Sequence, residues 1–358
     1  MASFKRFSNS VLMTFRRSSP WLLSAALNGW SRWSAGQWPE EAIPHTEISN
    51  AHIFIMVYSM KRLCTMIGLL FAWCSLSVAQ PLPVTAVQIG RHIDITAGDK
   101  YITSYRFQDD EKYPFFYPVN GPVSGGSLTA MRNSLYPHQA SMYLACDKLN
   151  GANYWQEGLE RGQIHSLGAR LVPADEYHVV IEDECLWKRP GHAASVRDMR
   201  RITISAPSKE VYQIDFDVTI EMLEDVLIEK TIHSLFCVRV AEDLSVKQGG
   251  RVINSLSGEG IDGCFGVKAP WLDYSGERRT GREGIAILQH PSSAWFPAPW
   301  FVRDYGLFSA SVINWPENGK NTTFRKGDRL TFRYRVLVHG GDAAEADIAG
   351  RYAAYTNE

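Results

Sequence analysis

The fold class is decided by residues 212–221, which read Tyr-Gln-Ile-Asp-Phe-Asp-Val-Thr-Ile-Glu. Apolar and polar side chains alternate throughout, and a period of two places the apolar set on one face of a β-strand. The same alternation recurs in residues 232–240 and 330–338, and residues 93–103 read as a hairpin. We therefore predict strands at these stretches, each with one buried and one solvated face.

The rest of the chain after residue 80 carries the same signal. Residues 201–205 and 285–288 are further strand candidates, and only residues 343–355 have a helix-like composition. No long repeat is visible, and no Pro/Gly/Ser linker divides residues 85–355. Many strands with few helices predict an all-β fold, a single large antiparallel β-sandwich of the supersandwich or jelly-roll-like kind over residues 80–358.

Residues 60–79 have the order of a secretory signal peptide. A basic start is followed by an apolar run, and Ser77 and Ala79 are the small residues that a signal peptidase reads. Because a signal peptide belongs at a chain start, we predict translation from Met60 and interpret residues 1–59 as a gene-model artefact, with an extended leader as the alternative. The apolar run is short for a membrane span. The sequence thus predicts a secreted or periplasmic bacterial protein, without stable membrane insertion after signal removal.

Composition excludes several classes of protein. The 358 residues include 37 Lys+Arg and 38 Asp+Glu and are 45% hydrophobic, which is neither disordered nor collagen-like. Without the 7 basic and 3 acidic residues of 1–79, 30 basic and 35 acidic groups remain, so no basic excess points to nucleic acid. The four cysteines after residue 80 are spaced by 39, 52 and 27 residues, which matches no zinc pattern. We favour small buried thiols over disulfides, because a core of this size needs no staples.

Three loop-like segments, 136–158, 269–276 and 289–306, gather polar and aromatic side chains that solubility does not require. Sandwiches place function on such loops or on a concave sheet face. An imidazole moves protons near neutral pH, an arginine fork suits a carboxylate or a hydroxyl pair, and a tryptophan ring offers sugars a flat apolar face. The candidate catalytic residues are His138, His165, His290, Arg303, Asp304 and Tyr305. The candidate substrate-binding residues are Gln139, Asn150, Trp155, Glu157, Trp271, Asp273 and Trp300.

Each candidate also has a structural interpretation. A histidine beside a proline could be a loop hydrogen bonder, Arg303 and Asp304 could form a structural ion pair, the tryptophans could belong to the core, and Glu157 could cap a loop. A divalent metal could be held by histidines and carboxylates from distant loops, although the sequence has no closely spaced ligand pair. No nucleophile elbow, phosphate loop or dinucleotide fingerprint is present.

Several motifs together resemble a poorly characterised family often labelled methane oxygenase PmoA. They are Tyr-Pro-Phe-Phe-Tyr-Pro at 113–118, Pro137-His138, Asp147, Asn150-Gly151, Tyr154-Trp155, Gly-Gln-Ile at 162–164, His290-Pro291, Trp300, residues 303–308 and residues 330–335, and the resemblance spans about 100–355. The resemblance implies an exported β-sandwich protein of polysaccharide-degrading bacteria. Many members have a His-His pair where this chain has His138-Gln139, so a role of the second histidine would be missing here. Methane oxidation is not implied, because that membrane subunit is a bundle of long apolar helices and no such helix follows residue 80.

The leading hypothesis is an exported carbohydrate-active enzyme that cleaves or modifies a glycoside. A histidine or Tyr305 would transfer protons in a lyase-type reaction, whereas two carboxylates among Glu157, Asp273 and Asp304 would support hydrolysis. The first alternative is a non-catalytic glycan-binding module, in which the tryptophans matter and the histidines do not. The second is a structural envelope protein that binds no small ligand.

Overall fold

The computed structural model describes residues 80–156, 158–232, 234–311 and 321–358, and they form strands almost throughout. The predictions for residues 1–59, for the signal peptide at 60–79 and for Glu157 lie outside these ranges. All the described residues fall in one unit, Ser77–Glu358.

The strands and helices follow one another in a simple order. The strands are β1 Val84–Ile89, β2 His92–Ala97, β3 Lys100–Arg106, β4 Phe115–Val119, β5 Met142–Cys146, β6 Gln163–Ser166, β7 Arg170–Val172, β8 His178–Lys188, β9 Val196–Ser208, β10 Val211–Met222, β11 Val226–Ile228, β12 Ser234–Arg239, β13 Arg251–Asn254, β14 Trp271–Arg278, β15 Gly281–Gln289, β16 Trp300–Val302, β17 Leu307–Ala310, β18 Thr322–Phe324 and β19 Arg329–Gly340. The helices are α1 Gly260–Cys264 and α2 Ile348–Tyr355, with 3-10 turns at Leu159–Arg161, Glu242–Leu244 and Val246–Gln248.

Two large sheets contain most of these strands. The eight-stranded sheet has the order β1-β2-β3-β4-β5-β12-β17-β16, and the nine-stranded sheet has the order β13-β14-β15-β19-β10-β9-β8-β6 with β7 also paired to β8. A small third sheet joins β11 to β18. Neighbouring strands are antiparallel, as in the pairing of β10 with β19 and of β12 with β5. The predicted all-β antiparallel sandwich is confirmed.

The hydrophobic core lies between the facing sides of the two large sheets. The alternating apolar set of β10 is buried there: Tyr212, Ile214, Phe216, Val218 and Ile220. Phe236 of β12 connects the sheets, with its ring centroid 4.9 Å from that of Phe216 in β10 and 5.0 Å from that of Tyr334 in β19. Strict alternation therefore predicted the core-facing side of the central strands correctly.

One predicted strand departs from this pattern, because both faces of β12 are buried. On the side away from the core, Cys237 and Arg239 are 0% and 6% exposed. Tyr143 lies opposite Cys237 in the neighbouring strand β5, and loop residues Tyr113 and Trp155 pack against its ring. We call this side of the eight-stranded sheet, which carries Tyr143, Cys237 and Arg239, the loop-covered face.

The outer side of the nine-stranded sheet is covered differently, by the C-terminal helix. Ile348 and Tyr355 of α2 pack with Trp271, Leu288 and Leu337 of the sheet. We call this side the helix-covered face. The helix predicted over residues 343–355 begins only at Ile348, because the preceding residues form a turn around the carboxylate of Asp342, which accepts hydrogen bonds from two backbone amides.

The four cysteines of this unit are free and buried, as predicted. Within the described ranges, no helix combines the length and the apolar character that a membrane crossing requires.

Candidate functional site

Arg239 is the most unusual charged residue on the loop-covered face. It stands at the end of β12, is 6% exposed, and donates a hydrogen bond from Nη1 to Oε1 of Gln139 at 2.6 Å. Its Nε is buried without a hydrogen-bond partner. Among the residues described, no carboxylate forms an ion pair with it, so the buried charge is not neutralised within this part of the chain.

Two tyrosine rings lie beside this guanidinium group. Tyr136 and Tyr305 are stacked with their centroids 4.3 Å apart and an interplanar angle of 18°. Arg239 Cζ is 4.5 Å from the Tyr305 centroid and 5.2 Å from the Tyr136 centroid. The guanidinium group is thus within cation–π distance of both rings.

Local turns bring these side chains together. Asn133 Oδ1 accepts hydrogen bonds from the amides of residues 135 and 136, which fixes the turn that carries Tyr136. Tyr305 lies in the tight turn between β16 and β17, where Gly306 has a φ of 100° and a Cβ would be 2.5 Å from Cγ2 of Val240. Glycine is thus required directly after Tyr305.

His138 lies at the rim of the same cluster. Its imidazole is partly exposed and makes an edge contact with Tyr136, with the ring centroids 6.4 Å apart. Its backbone carbonyl accepts a hydrogen bond from the Tyr113 hydroxyl. A cavity of about 120 Å³ opens beside it, lined also by Lys112 and Arg132.

Arg303 contributes a second guanidinium group to the loop-covered face. Its Cζ is 4.7 Å from the ring centroid of Phe301 and 5.2 Å from that of Phe265. The structural ion pair considered for Arg303 and Asp304 is not formed, because Asp304 faces Lys247 at 3.7 Å. In the ranges that the structure describes, Arg303 makes no ion pair with a carboxylate.

The electrostatics of the cluster follow from burial. Burial raises the pKa of the Tyr305 hydroxyl, and the hydrogen bond with Gln139 (Nε2 to the hydroxyl, 3.5 Å) and the charges of Arg239 and Arg303 partly offset that effect. Burial lowers the pKa of Arg239, and the groups that partly offset this effect are tyrosines, with Tyr305 and Tyr136 first, rather than carboxylates. Tyr305 is therefore a neutral phenol at pH 7 that can donate a proton, while Arg239 keeps its charge.

His290 and Asp273 lie on the helix-covered face instead. His290 accepts a hydrogen bond from Nη1 of Arg333 at 3.1 Å through Nε2, and its Nδ1 lies 2.7 Å from the Ser292 hydroxyl. Burial and Arg333 lower the pKa of His290. Asp273 is fully buried and bonds Nε2 of His339 at 2.7 Å. Both side chains are occupied within the chain.

The predicted single site for all three histidines is therefore divided. The helix-covered and loop-covered faces lie on opposite sides of a sandwich whose sheets are separated by about 10 Å. His138 lies on one side and His290 on the other. His165, on β6, has Nδ1 3.7 Å from Asp109, and the same segment, residues 109–113, reaches His138 through Tyr113. Burial, then the charge of Lys188, lowers the pKa of His165.

The remaining binding candidates are used in packing. Asn150 donates from Nδ2 to Glu224 Oε1 at 3.0 Å and accepts at Oδ1 from the amide of Leu227 at 2.7 Å, which ties its loop to β11. Trp155 is 1% exposed and Trp300 is 0% exposed. The Trp300 indole donates to a backbone carbonyl at 2.7 Å. In this arrangement neither ring, nor the 9%-exposed Trp271 beneath α2, presents a free face for stacking on a sugar.

Sequence reasoning missed Arg239 and Tyr136. A signal for Arg239 exists in residues 234–239, Ser-Leu-Phe-Cys-Val-Arg, where apolar side chains occupy both alternating sets before the arginine. Such a strand is covered on both faces, so the charge at its end is buried. As to metal binding, the described ranges hold no group of three or more His, Cys, Asp or Glu side chains arranged to bind an ion.

Comparison with known proteins gives a family and distant structural matches. A family of unknown function, DUF6807, matches residues 92–353. No curated protein matches the chain. Solved structures that match include a heparan sulfate lyase HepC mutant from Pedobacter heparinus (8% identity, TM-score 0.32, covering 75% of this chain and 36% of the lyase). Another is a putative aldose 1-epimerase from Klebsiella pneumoniae subsp. pneumoniae MGH 78578 (8% identity, TM-score 0.38, covering 76% of this chain and 87% of the epimerase).

A third is galactose 1-epimerase from Lactobacillus acidophilus NCFM, at 8% identity and a TM-score of 0.35, with 73% of this chain and 100% of that chain covered. This chain thus spans about a third of the length of the lyase and most or all of the two epimerases. At these TM-scores the three matches support no inference about the chain.

Proposed function

Because the chain belongs to the DUF6807 family, whose function is unknown, we propose its activity from its site: a carbohydrate-active enzyme that works on the loop-covered face. The observation that carries the proposal is the connected series Arg239, Gln139 and Tyr305, whose ring stacks on Tyr136, the residue that the partly exposed His138 contacts at its edge. A proton-transferring imidazole and a phenol held by Gln139 are thus in contact with the same Tyr136 ring.

Each side chain has a distinct role in this proposal. His138 takes a proton from the bound sugar, since an imidazole titrates near neutral pH. Tyr305, a neutral phenol, hydrogen-bonds a sugar oxygen and donates its proton as that oxygen acquires charge. Gln139 holds the phenol, and the partly exposed edges of Tyr136 and Tyr305 supply apolar surface to the sugar ring.

The enzyme is favoured over the glycan-binding module by the state of the tryptophans. A module that stacks on sugars needs open indole faces, and the three tryptophans predicted to bind sugar, Trp155, Trp271 and Trp300, are all buried. Trp295 is 44% exposed, but its ring packs against Phe324 and Phe332 rather than in the predicted site. The exported location predicted from residues 60–79 stays a prediction.

The test compares turnover and binding in matched variants. Purified protein is incubated with a panel of oligo- and polysaccharides, and new reducing ends and the ultraviolet absorbance of unsaturated products are followed. We expect His138→Ala and Tyr305→Phe each to lower turnover by roughly 100-fold or more. Binding by calorimetry should change much less than turnover, because each variant removes at most one hydrogen bond to the sugar and keeps the rest of the cluster. His192→Ala, at an exposed loop histidine, is the control and should keep full turnover.

Two results would count against the enzyme. Full turnover in both variants would remove His138 and Tyr305 from the chemistry. Tight glycan binding by the wild-type protein without any product would favour the binding module instead.

A further inference from the structure

Three arginines are buried in the described part of the chain, and two of them are neutralised by carboxylates. Arg200 is 2% exposed and donates to Asp198 from Nε at 2.7 Å and from Nη2 at 3.1 Å. Arg335 is 5% exposed and donates to Asp215 at 2.6 and 2.9 Å. Arg239, at 6%, has no such partner within the described ranges. A buried charge without a counterion is costly, so its retention calls for an explanation.

The groups that Arg239 leaves unused form one edge of the guanidinium plane. Nη1 is occupied by Gln139, whereas Nε has no partner and Nη2 makes no hydrogen bond with any described residue. Nε and Nη2 are the two parallel donors with which an arginine binds a carboxylate side-on. Unlike Nε, Nη2 is not fully buried, so it keeps contact with solvent. A carboxylate bound side-on would accept hydrogen bonds from Nη2 and Nε together.

A second positive charge reinforces this edge. Arg303 lies on the same face, packs on Phe301 and Phe265, and has no carboxylate partner among the residues described. Its charge and that of Arg239 both lower the pKa of the Tyr305 hydroxyl, so both guanidinium groups lie near that residue. Two unpaired cations around one phenol create a positive potential that attracts an anion.

We propose that Arg239, assisted by Arg303, binds a carboxylate group of the substrate, so that the substrate class is an acidic saccharide containing a uronate. The inference rests on the proposed carbohydrate activity and adds the chemical class of the sugar. A carboxylate fits better than a neutral hydroxyl pair, because only an anion neutralises the guanidinium charge and so replaces the hydration that the charge loses on burial. A sulfate ester on a sugar would supply related chemistry, and the experiment separates the two.

The experiment uses pairs of oligosaccharides that differ in one charge. Oligosaccharides that contain glucuronate, galacturonate, mannuronate or guluronate are each compared with their carboxyl-reduced neutral counterparts. Sulfated oligosaccharides are compared with their desulfated counterparts. Dissociation constants are measured by calorimetry for the full chain and for Arg239→Met, Arg239→Lys and Arg106→Met. Arg106 is the matched control, because it also packs on a tyrosine (Tyr117, 5.7 Å) in the same sheet but lies outside the site.

We expect at least one uronate to bind about tenfold or more tightly than its neutral counterpart. Arg239→Met should abolish that preference, Arg239→Lys should keep part of it because the charge remains without the fork, and Arg106→Met should leave it intact. Circular dichroism and thermal unfolding confirm that each variant is folded. If Arg239→Met does not fold, the weakened preference of Arg239→Lys carries the test.

The contrary outcomes are distinct. Equal affinity for both members of every pair would overturn the carboxylate site while leaving the carbohydrate activity standing. A preference for sulfated over desulfated sugars, without one for uronates, would overturn the carboxylate assignment. Binding of neither charged nor neutral saccharides would instead refute the proposed function on which the inference rests.

Discussion

The two outer faces of the sandwich treat buried charge in opposite ways. On the helix-covered face, Arg335 is held by Asp215 and Glu358, and Asp273 is held by His339. On the loop-covered face, Arg239 and Arg303 have no carboxylate partner in the ranges described, and aromatic rings surround them instead. Both faces are covered by other parts of the chain, so burial alone does not distinguish them.

In the proposed function, this difference separates charges that stabilise the fold from charges that bind a ligand. A buried ion pair that is complete within the chain needs nothing from outside, and its loss leaves one charge uncompensated. A buried arginine that is not neutralised costs stability in the free protein and has most to gain from a ligand anion. The ion pairs of the helix-covered face therefore support the C-terminal helix, and the loop-covered face is where the proposed function places the substrate.

The largest expected contrast comes from the same substitution on the two faces. Arg335→Met leaves Asp215 partly buried without its partner and should lower the free energy of unfolding by about 3 kcal/mol. Arg239→Met removes a charge that has no counterion among the described residues and leaves only the side-chain oxygen of Gln139 unsatisfied. It should therefore change the free energy of unfolding by no more than about 1 kcal/mol. Urea unfolding of both variants measures the two values. Equal losses in the free energy of unfolding would mean that Arg239 stabilises the fold as much as Arg335 does, which would contradict the distinction between the two faces.

A smaller effect tests how tightly the helix-covered face is packed. A Cβ at Gly284 would be 2.5 Å from Cε1 of His339 and 2.8 Å from Cβ of Ser275, so Gly284→Ala must displace the ring that bonds Asp273. We expect a loss of about 1–3 kcal/mol in the free energy of unfolding. Gly126→Ala is the control, since its nearest neighbour would be 3.6 Å away. An unchanged stability for Gly284→Ala would show that the Asp273–His339 pair tolerates movement.

The sequence predicted more of the fold than of the site, for a physical reason. Alternation in β10 reports a contact that repeats with every second residue, so the buried set could be assigned without coordinates. Proximity between loops has no such repeat. His138 and His290 both stand in polar loop-like segments, yet they belong to opposite faces. Arg239 could not be assigned to the candidate site from the sequence, because the pattern of a strand does not show which loop covers its second face.

The tryptophans illustrate the same limit. Four of the six that follow residue 80 lie in or near the candidate segments, which suggested sugar stacking. Trp300 is instead buried in β16, at the edge of the eight-stranded sheet, and Trp155 packs over Tyr143 on the loop-covered face. The sequence of a loop does not show whether an aromatic side chain faces the core or the solvent, so only the packing decides its role.

The smallest expected effect is a pH dependence that belongs to the helix-covered face. Burial and Arg333 hold the pKa of His290 below its usual range, whereas an unfolded histidine titrates near pH 6.5. At pH values between the folded and unfolded pKa of His290, the unfolded chain binds a proton at this residue and the native state does not. The contribution is therefore fully present above about pH 6.5 and is lost as the pH falls toward the folded-state value. His165, whose pKa is also lowered, adds a contribution of the same sign.

We expect the free energy of unfolding to be lower at pH 5 than at pH 7.5 and expect His290→Gln to reduce that difference without removing it, because His165 remains. His192→Gln, at an exposed position, should leave the difference unchanged. Urea unfolding at both pH values measures the effect. Since His290 faces Arg333 and Tyr355 on the helix-covered face, its substitution should also leave the uronate preference of Arg239 intact. A lost preference in His290→Gln would connect the two faces energetically and contradict their separation into a structural side and a binding side.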